Sequence, residues 1–355
     1  MKIIAYYLPQ FHEIDENNKW WGKGFTEWTN VKKAKPLYKG HIQPKIPLNS
    51  NYYNLMDKKV MEWQTDLMKK YNVYGLCYYH YYFEGKMLLE KPAENLLNWK
   101  DIDQKFCFCW ANHDWRKTWN GTSELLMKQT YGTEDSWKEH FYYLLKFFKD
   151  ERYIKIENKP VFVIYKTEDI ENCEKMLEYW NKLAKENNLD GLYVIETIDY
   201  TSGKNNCENS NAVLYREPAI ALSKLRKRSK IEKILDKVFN KEKEKPERID
   251  YDLVWKKILE FPLKKKENKQ RYLGTFSSWD NTSRHGENGF VIENGNPEKF
   301  KKYLLEQKKQ MKNENTEYIF LNAWNEWAEG MYIEPDEENK YGYLEAIKEV
   351  MDTEV

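Results

Sequence analysis

Short apolar runs recur along the chain, and most are followed by a stretch whose apolar positions return every three or four residues. The first run covers residues 3–8 (IIAYYL). Residues 57–71 then read as an amphipathic helix, with Val60, Trp63, Leu67 and Met68 at helical spacing. Runs at 73–82 (VYGLCYYHYY) and 105–110 (KFCFCW) come next. A helical pattern over 134–149 separates these from 160–165 (PVFVIY), and another over 170–187 leads into 191–198 (GLYVIETI). Residues 211–215 form a weaker sixth run, 272–277 (YLGTFS) the seventh, and 318–323 (YIFLNA) the eighth, which follows a helix over 297–312. Strands alternating with helices predict an α/β fold built on a parallel sheet. Eight such units in 355 residues fit a closed (β/α)₈ TIM barrel with extended βα loops better than an open doubly wound sheet. The open sheet is the alternative, but no Gly-rich phosphate turn follows the first strand, which counts against a dinucleotide-binding version of it.

One segment breaks this rhythm. Residues 223–271 hold 18 Lys or Arg against nine Asp or Glu. They read as a solvated, Lys-rich helical insertion between strands six and seven, or as a basic face that meets an anionic polymer or membrane surface. Elsewhere no composition break or Gly-rich linker asks for a second domain, so residues 1–355 read as a single barrel domain.

Composition narrows the partners. Basic and acidic side chains nearly cancel at a net charge of +1, so nothing pulls the whole chain toward nucleic acid. No stretch approaches the roughly 20 apolar residues that span a bilayer. Residues 1–11 lack a signal-peptide core, and a cytoplasmic protein with no integral membrane segment is expected. The five cysteines include no Cys-x-x-Cys and read as reduced, mostly buried thiols. Aromatic content changes the picture most. Fourteen Trp and 27 Tyr exceed what packing alone demands, and such rings stack on sugars as well as filling cores.

In a barrel the working residues lie at the C-terminal strand ends and in the loops beyond. The first strand leads into PQFH and then WW and EW; the third is followed by WANHDWR, the seventh by WDNT and the eighth by NAWNEWAEG. Trp beside Asn, Asp or Glu is what a carbohydrate cleft requires, because the ring covers an apolar sugar face while amides and carboxylates fork onto hydroxyls. The candidate substrate contacts are Tyr7, Gln10, His12, Glu27, His80, Tyr81, Trp110, Asn112, Asp114, Trp279, Asp280, Trp324, Asn325 and Glu334. His80, inside a Tyr-rich run, reads equally well as a core histidine bonded to a tyrosine.

Glu326 and Glu329 are the candidate catalytic carboxylates. Glycoside hydrolysis needs two carboxyl groups flanking one bond, about 5–5.5 Å apart for retention and about 6.5–9.5 Å for inversion. Residues three apart on a helical turn place their Cβ atoms about 5–6 Å apart. The competing reading is an acidic first helical turn stabilised by the helix dipole. Flanking Trp324, Asn325 and Trp327 favour the catalytic one, since a solvated helix start rarely carries two tryptophans. No His-Glu-x-x-His, Gly-x-Ser-x-Gly or phosphate-cradling loop is present, so no metal and no cofactor is expected. The expected partner is an oligosaccharide or polysaccharide.

The stretches AYYLPQFH, WWGKGFTEWTNVKKAKPLYKGHIQP, WANHDWRKTW, WDNTSR and NAWNEWAEGMYIEP together resemble the WbsX-type family, whose members accompany bacterial surface-polysaccharide functions. That family is similar to glycoside hydrolase family 99, the endo-α-mannosidase and endo-mannanase family. The resemblance runs nearly end to end, with the Lys-rich segment covered least. It implies a (β/α)₈ barrel and a metal-independent retaining mechanism. In it Glu326 takes the proton of the sugar 2-hydroxyl to form a 1,2-anhydro sugar, and Glu329 protonates the leaving oxygen before activating water. The family places His between the pair where this chain has Ala328, which weakens any carry-over of mannoside specificity. On this reading Glu329 should hold a proton near neutral pH and Glu326 should be ionised. An endo-acting hydrolase of a bacterial surface or related glycan leads. A glycosyltransferase or transglycosylase of O-antigen or capsule assembly, and a catalytically idle sugar-binding barrel, are the other readings.

Overall fold

The computed structural model describes residues 1–119, 122–199, 207–225, 245–260, 269–314 and 316–354. Eight parallel strands close into a ring: β1 (Lys2–Tyr7), β2 (Val73–Phe83), β3 (Phe106–Trp110), β4 (Lys159–Ile164), β5 (Tyr193–Ile198), β6 (Ala212–Tyr215), β7 (Gln270–Phe276) and β8 (Tyr318–Asn322). Each pairs with the next, and β8 returns to β1 with Tyr318 opposite Lys2 and Leu321 opposite Ala5. The fold is therefore the closed (β/α)₈ barrel. All eight apolar runs became these strands, with ends displaced by one or two residues.

Strands buried on both faces read as continuous apolar runs, and β3 (FCFCW) is buried at every position. Its outward side chains meet the helix layer, with Phe108 4.9 Å from Phe147 and Trp110 6.2 Å from Trp180 between ring centroids. Successive strand residues point to opposite faces. On β1 the hydroxyl of Tyr7 donates to Gln64 of the surrounding helix layer, so Tyr6 points into the barrel. There Tyr6 stacks on Tyr79 at 5.3 Å and meets Phe320 at 6.2 Å. The interior is thus a packed aromatic core rather than a channel.

Helices α1 (Lys58–Lys70), α2 (Glu134–Phe148), α3 (Cys173–Glu186), α4 (Tyr251–Leu259) and α5 (Pro297–Glu314) pack outside the ring. Asp57 caps α1 by accepting from the amide of Lys59 at 3.0 Å. The buried stripe of α1 runs through Met61, Gln64, Thr65, Leu67 and Met68, so Val60 and Trp63 lie at its edge rather than its centre. The stripe includes a polar residue because Gln64 serves a hydrogen-bond chain described below.

Of the Lys-rich stretch, residues 226–244 and 261–268 lie outside the described residues. The part between them departs from a solvated insertion. Glu247–Asp250 pairs in parallel with Phe290–Glu293. Helix α4 buries Tyr251, Val254, Trp255 and Ile258, and Trp255 stacks on Tyr303 of α5 at 5.1 Å. The lysine-rich composition hid a helical apolar period at those four positions. Among the described residues no helix is long and apolar enough to cross a membrane.

Candidate active site

Glu326 and Glu329 stand on the loop that leaves β8. Asn325 and Glu326 pair antiparallel with Tyr332 and Met331, and a 3₁₀ turn, Trp327–Glu329, reverses the chain between them. Side chains three apart eclipse on a 3₁₀ turn, which brings the two carboxylates to one side. Gly330 closes the turn at φ +56°, where an added Cβ would lie 2.8 Å from the Cβ and 2.9 Å from the amide nitrogen of Asp280. Only glycine fits both the conformation and the space.

The sequence around the pair fixes this hairpin to the barrel. The amide of Trp324 donates to the Tyr6 carbonyl at 2.7 Å. Asn325 Oδ1 accepts from the Leu8 amide at 2.7 Å, and its Nδ2 donates to the Leu8 carbonyl at 3.1 Å, splinting the loop to the end of β1. Glu334, two residues beyond the returning strand, accepts from Gln64 at 2.7 Å, Trp324 at 2.8 Å, Tyr53 at 2.8 Å and Trp327 at 2.7 Å. Burial pushes its carboxyl up to about 7 in spite of those donors.

One guanidinium gathers the acidic groups. Arg284, in the short helix Thr282–His285 beyond β7, donates from Nη1 to Glu329 and from Nη2 to Glu326 at 3.3 Å and to Glu27 at 2.5 Å. Glu27 opens the helix Glu27–Lys33, and its side chain is 1% exposed. Asp280 holds the segment that carries Arg284, accepting from Gln43 at 2.6 Å, His41 at 2.8 Å and the Thr282 hydroxyl at 2.5 Å. Burial acts to raise the Asp280 carboxyl, but these donors outweigh it and keep it below the ordinary range. Arg284 lies outside the residues singled out from sequence. Its signal was available in the WDNTSR segment, because carboxylates crowded at one strand end require a counter-cation.

The two carboxylates differ in exposure, 9% for the Glu326 side chain and 23% for Glu329. Burial, followed by the charge of Glu329, pushes Glu326 up to about 8, against the pull of Arg284. In the free protein Glu326 is thus held above the ordinary carboxylate range, whereas the resemblance in sequence implies that it is ionised near neutral pH. The reason is position: Glu326 pairs in the hairpin and faces the barrel, while Glu329 sits at the outer end of the turn.

Tyr81 belongs with this group. It lies on the inward face of β2, where the charges of Glu326, Arg284 and Glu27 all act on its hydroxyl, and Trp115 meets its ring edge-on at 5.1 Å. Trp20 packs on Trp115 at 5.6 Å, extending an aromatic wall along the same side. Across the mouth Arg216, just beyond β6, lies 4.2 Å from the Tyr165 ring and 3.4 Å from Asp199, and its Nε is buried without a hydrogen bond. His113 lies near Tyr165, and burial lowers it to about 4.

Other candidates go elsewhere. Tyr7, His80 and Trp110 point outward into the strand–helix layer. Tyr7 bonds Gln64 at 2.9 Å, His80 Nε2 meets His140 Nε2 at 2.8 Å, and the Trp110 indole donates to the Tyr82 carbonyl at 3.2 Å. They are core residues because strand alternation turns them away from the barrel axis. Asn112 ties two loops, donating to the Lys166 carbonyl at 2.7 Å and accepting from its amide at 2.8 Å. Asp114 pins the hairpin Trp115–Trp119/Thr122–Met127 by accepting from the Gln129 amide at 2.9 Å and from Arg116 at 2.8 Å. Gln10 accepts the Glu27 amide on its carbonyl at 2.9 Å. His12 on the same loop is buried, which lowers it to about 4. Trp279 is half-buried beside Asp280. Trp324 and Glu334 stand behind the carboxylate pair. Glu334 and Trp327 border a separate cleft of about 500 Å³ that also includes Tyr52, Trp63 and Tyr341.

Comparison with known proteins gives a consistent picture. The sequence model of a family described as "Glycosyltransferase WbsX" matches residues 3–347. Two strains of Xanthomonas campestris pv. campestris each carry an uncharacterized protein, WxcX, that is 27% identical over 353 residues. The match covers 98% of this chain and 49% of that protein, so the chain spans about half the length of these curated relatives. Among solved structures, the GH99 endo-alpha-mannosidase of Bacteroides thetaiotaomicron superimposes with a TM-score of 0.56 at 15% identity, covering 99% of this chain and 96% of the other. A glycoside hydrolase-like protein superimposes with a TM-score of 0.61 at 13% identity, covering 99% and 94%. At such identities the likeness concerns the fold, a (β/α)₈ barrel shared along nearly the whole chain.

Proposed function

The chain belongs to the glycosyltransferase WbsX family, and on that premise we propose that it cleaves glycosidic bonds within a bacterial surface or related polysaccharide. The observation that carries this reading is the convergence of Glu326 and Glu329, from one tight turn at the C-terminal mouth of the barrel, on the single guanidinium of Arg284. Two carboxylates so placed flank one bond, as glycoside hydrolysis requires, and Tyr81, Trp115 and Trp20 offer ring faces beside them.

The pair works as a dyad that shares one proton through neutral pH. In the free protein the proton rests on Glu326. Bound sugar covers the more open Glu329, and the proton moves there, leaving Glu326 ionised beside the sugar 2-hydroxyl. Glu326 then removes the hydroxyl proton, O2 attacks C1, and Glu329 protonates the departing oxygen, giving a 1,2-anhydro sugar. Glu329, now a carboxylate, takes a proton from water as the water oxygen attacks C1; the C1–O2 bond breaks, Glu326 returns its proton to O2, and the original configuration at C1 is restored. Arg284 keeps the two carboxylates together and neutralises part of their charge.

The family's description favours a second reading, in which a sugar hydroxyl rather than water opens the anhydro ring and the product is a transferred glycan. One experiment separates them. Bacterial surface polysaccharides are incubated with the protein, with and without a nucleotide-sugar donor, and new reducing ends are counted and their anomers determined. Donor-independent release of new reducing ends with retention supports the hydrolase, donor-independent redistribution of chain lengths without a net gain of reducing ends supports transfer from the anhydro sugar, and donor-dependent extension supports a nucleotide-sugar transferase. Inverted product would remove the anhydro route.

A further inference from the structure

We propose that Cys173 and Cys207 are a disulfide-forming pair, oxidised by a small-molecule disulfide such as oxidised glutathione. Their Sγ atoms stand 3.2 Å apart, so a bond needs a closure of only about 1 Å to reach the ~2.05 Å of a disulfide. The two residues come from different elements, and each is held in place independently of the other. Cys173 is the first residue of α3, and its amide donates to Ile170 at 3.1 Å.

Cys207 is fixed through its backbone. Its amide donates to Glu196 of β5 at 2.9 Å, and its carbonyl accepts from Lys269 at 2.5 Å and from the Ser210 amide at 3.0 Å. Glu196 and Lys269 are themselves an internal ion pair at 3.2 Å, with side chains 2% and 12% exposed. The next two amides, of Glu208 and Asn209, donate to the Glu174 carboxylate of α3 at 2.5 Å and 3.0 Å. The segment after Cys207 is therefore clasped to the first turn of the helix that carries Cys173, and the facing sulfurs follow from that clasp. A buried acid, an internal lysine and a capping glutamate are more than two packed thiols require.

The other cysteines differ. Cys77 and Cys107 are register partners on adjacent parallel strands β2 and β3, and Cys109 lies two residues further along β3. They face the barrel interior, and their backbones are fixed by the sheet itself.

The reaction balances as two exchanges. The thiolate of one cysteine attacks glutathione disulfide and releases one glutathione, and the second thiolate attacks that mixed disulfide and releases another. The protein loses two hydrogens, which leave on the two glutathiones. The bond would close a covalent loop from the start of α3 through β5, restricting the unfolded chain and raising stability. Its second anchor lies eight residues beyond Asp199, the partner of Arg216 in the barrel mouth. The expectation of five reduced thiols would then hold for the three barrel cysteines alone.

The test uses the full chain equilibrated in glutathione buffers from fully reduced to fully oxidised, acid-quenched, alkylated and mapped by mass spectrometry. The expected result is the joint loss of two alkylation sites, a cross-linked peptide joining Cys173 to Cys207, and a midpoint of thermal unfolding several degrees higher in the oxidised sample. Because both thiols are buried, the same buffers are also applied during refolding from the reduced, denatured chain, where access is no obstacle. C173S should remove the cross-link and the thermal shift together. Five alkylatable cysteines after oxidative refolding would overturn the proposal. So would a cross-link among Cys77, Cys107 and Cys109, or a lone glutathione adduct in the unsubstituted chain.

Discussion

Arg284 donates from Nη2 to the buried carboxylate of Glu27 at 2.5 Å, and the same guanidinium reaches Glu326 and Glu329. Three carboxyl groups thus depend on one cation. Removing one partner of a buried ionic group leaves the others uncompensated. Arg284→Met should lower stability by about 3 kcal/mol, read as a fall in the urea midpoint at pH 7. The cation favours the ionised carboxylates, so its loss raises their pKa values. The alkaline limb of kcat/KM, expected near pH 8 where the dyad loses its shared proton, should move upward in Arg284→Met and only slightly in Arg284→Lys. An unmoved limb would mean that Arg284 does not act on the dyad.

Folding stability should fall as pH rises from 7.2 to 8. Glu326 and Glu217 are both pushed up to about 8 by burial, from an ordinary value of 4.5. A group with a raised folded pKa binds a proton in the native state that the unfolded chain has already lost. Its stabilising contribution is complete below the unfolded pKa and gone once pH passes the folded one. Burial lowers His12, His80, His113, His140 and His285, and these act in the other direction as the unfolded histidines gain protons around their ordinary value of about 6.5. Above about pH 7.2 the unfolded histidines have lost most of their protons, and the two carboxyl groups set the slope. Each retained proton contributes up to about 1.4 kcal/mol per pH unit, and Glu326 retains most of its own over this window, so Glu326→Gln should flatten the slope by about 1 kcal/mol per unit. Urea unfolding at pH 7.2, 7.6 and 8 measures it, and an unchanged slope would show that Glu326 ionises normally.

Sequence carried the frame of this molecule further than its site. Runs such as FCFCW and PVFVIY, buried on both faces, announce parallel strands regardless of context, and eight of them fix the ring. Strand alternation, however, sends neighbouring residues to opposite sides. Tyr81 and His80, or Tyr6 and Tyr7, cannot be sorted until the register against α1 and α2 is known. Trp324, Asn325 and Glu334 look like sugar contacts in one dimension, yet their polar atoms are taken up by one another and by Leu8, Tyr53 and Gln64. Such long-range hydrogen bonds leave no periodic trace. Arg284 shows the same limit from the other side: it lies 42 residues before Glu326, and only closure of the barrel makes them neighbours.

The division of labour within the dyad can be read from leaving groups. A general acid matters little when the departing oxygen is already a weak base, whereas the group that generates the nucleophile is needed for every substrate. Glu329→Gln should therefore lose orders of magnitude on the polysaccharide and recover much of its rate on an aryl glycoside with an acidic phenol. Glu326→Gln should stay slow on both. The two variants are compared on the same pair of substrates, and recovery by Glu326→Gln instead would exchange the roles. Near-parental rates in either variant on the polysaccharide would remove that residue from the chemistry altogether.

Gly330 tests whether the turn itself, rather than the mere presence of two acids, sets the rate. Its φ of +56° is left-handed, and a Cβ there would press on Asp280, the anchor of the segment that carries Arg284. Gly330→Ala must strain the turn, move Asp280, or both. A left-handed alanine costs about 1 kcal/mol, and displacing Asp280, whose carboxylate accepts from His41, Gln43 and Thr282, adds to it, so a loss of about 2 kcal/mol is expected. Glu326 and Glu329 would keep their identities but shift relative to Arg284 and to each other. A misplacement of about 1 Å costs on the order of 10²-fold in rate. The aromatic wall of Tyr81, Trp115 and Trp20 comes from other loops and should bind sugar as before. Gly330→Ala should thus lower kcat with little change in KM. A raised KM at constant kcat would place the strain in substrate binding and separate the turn from the chemistry.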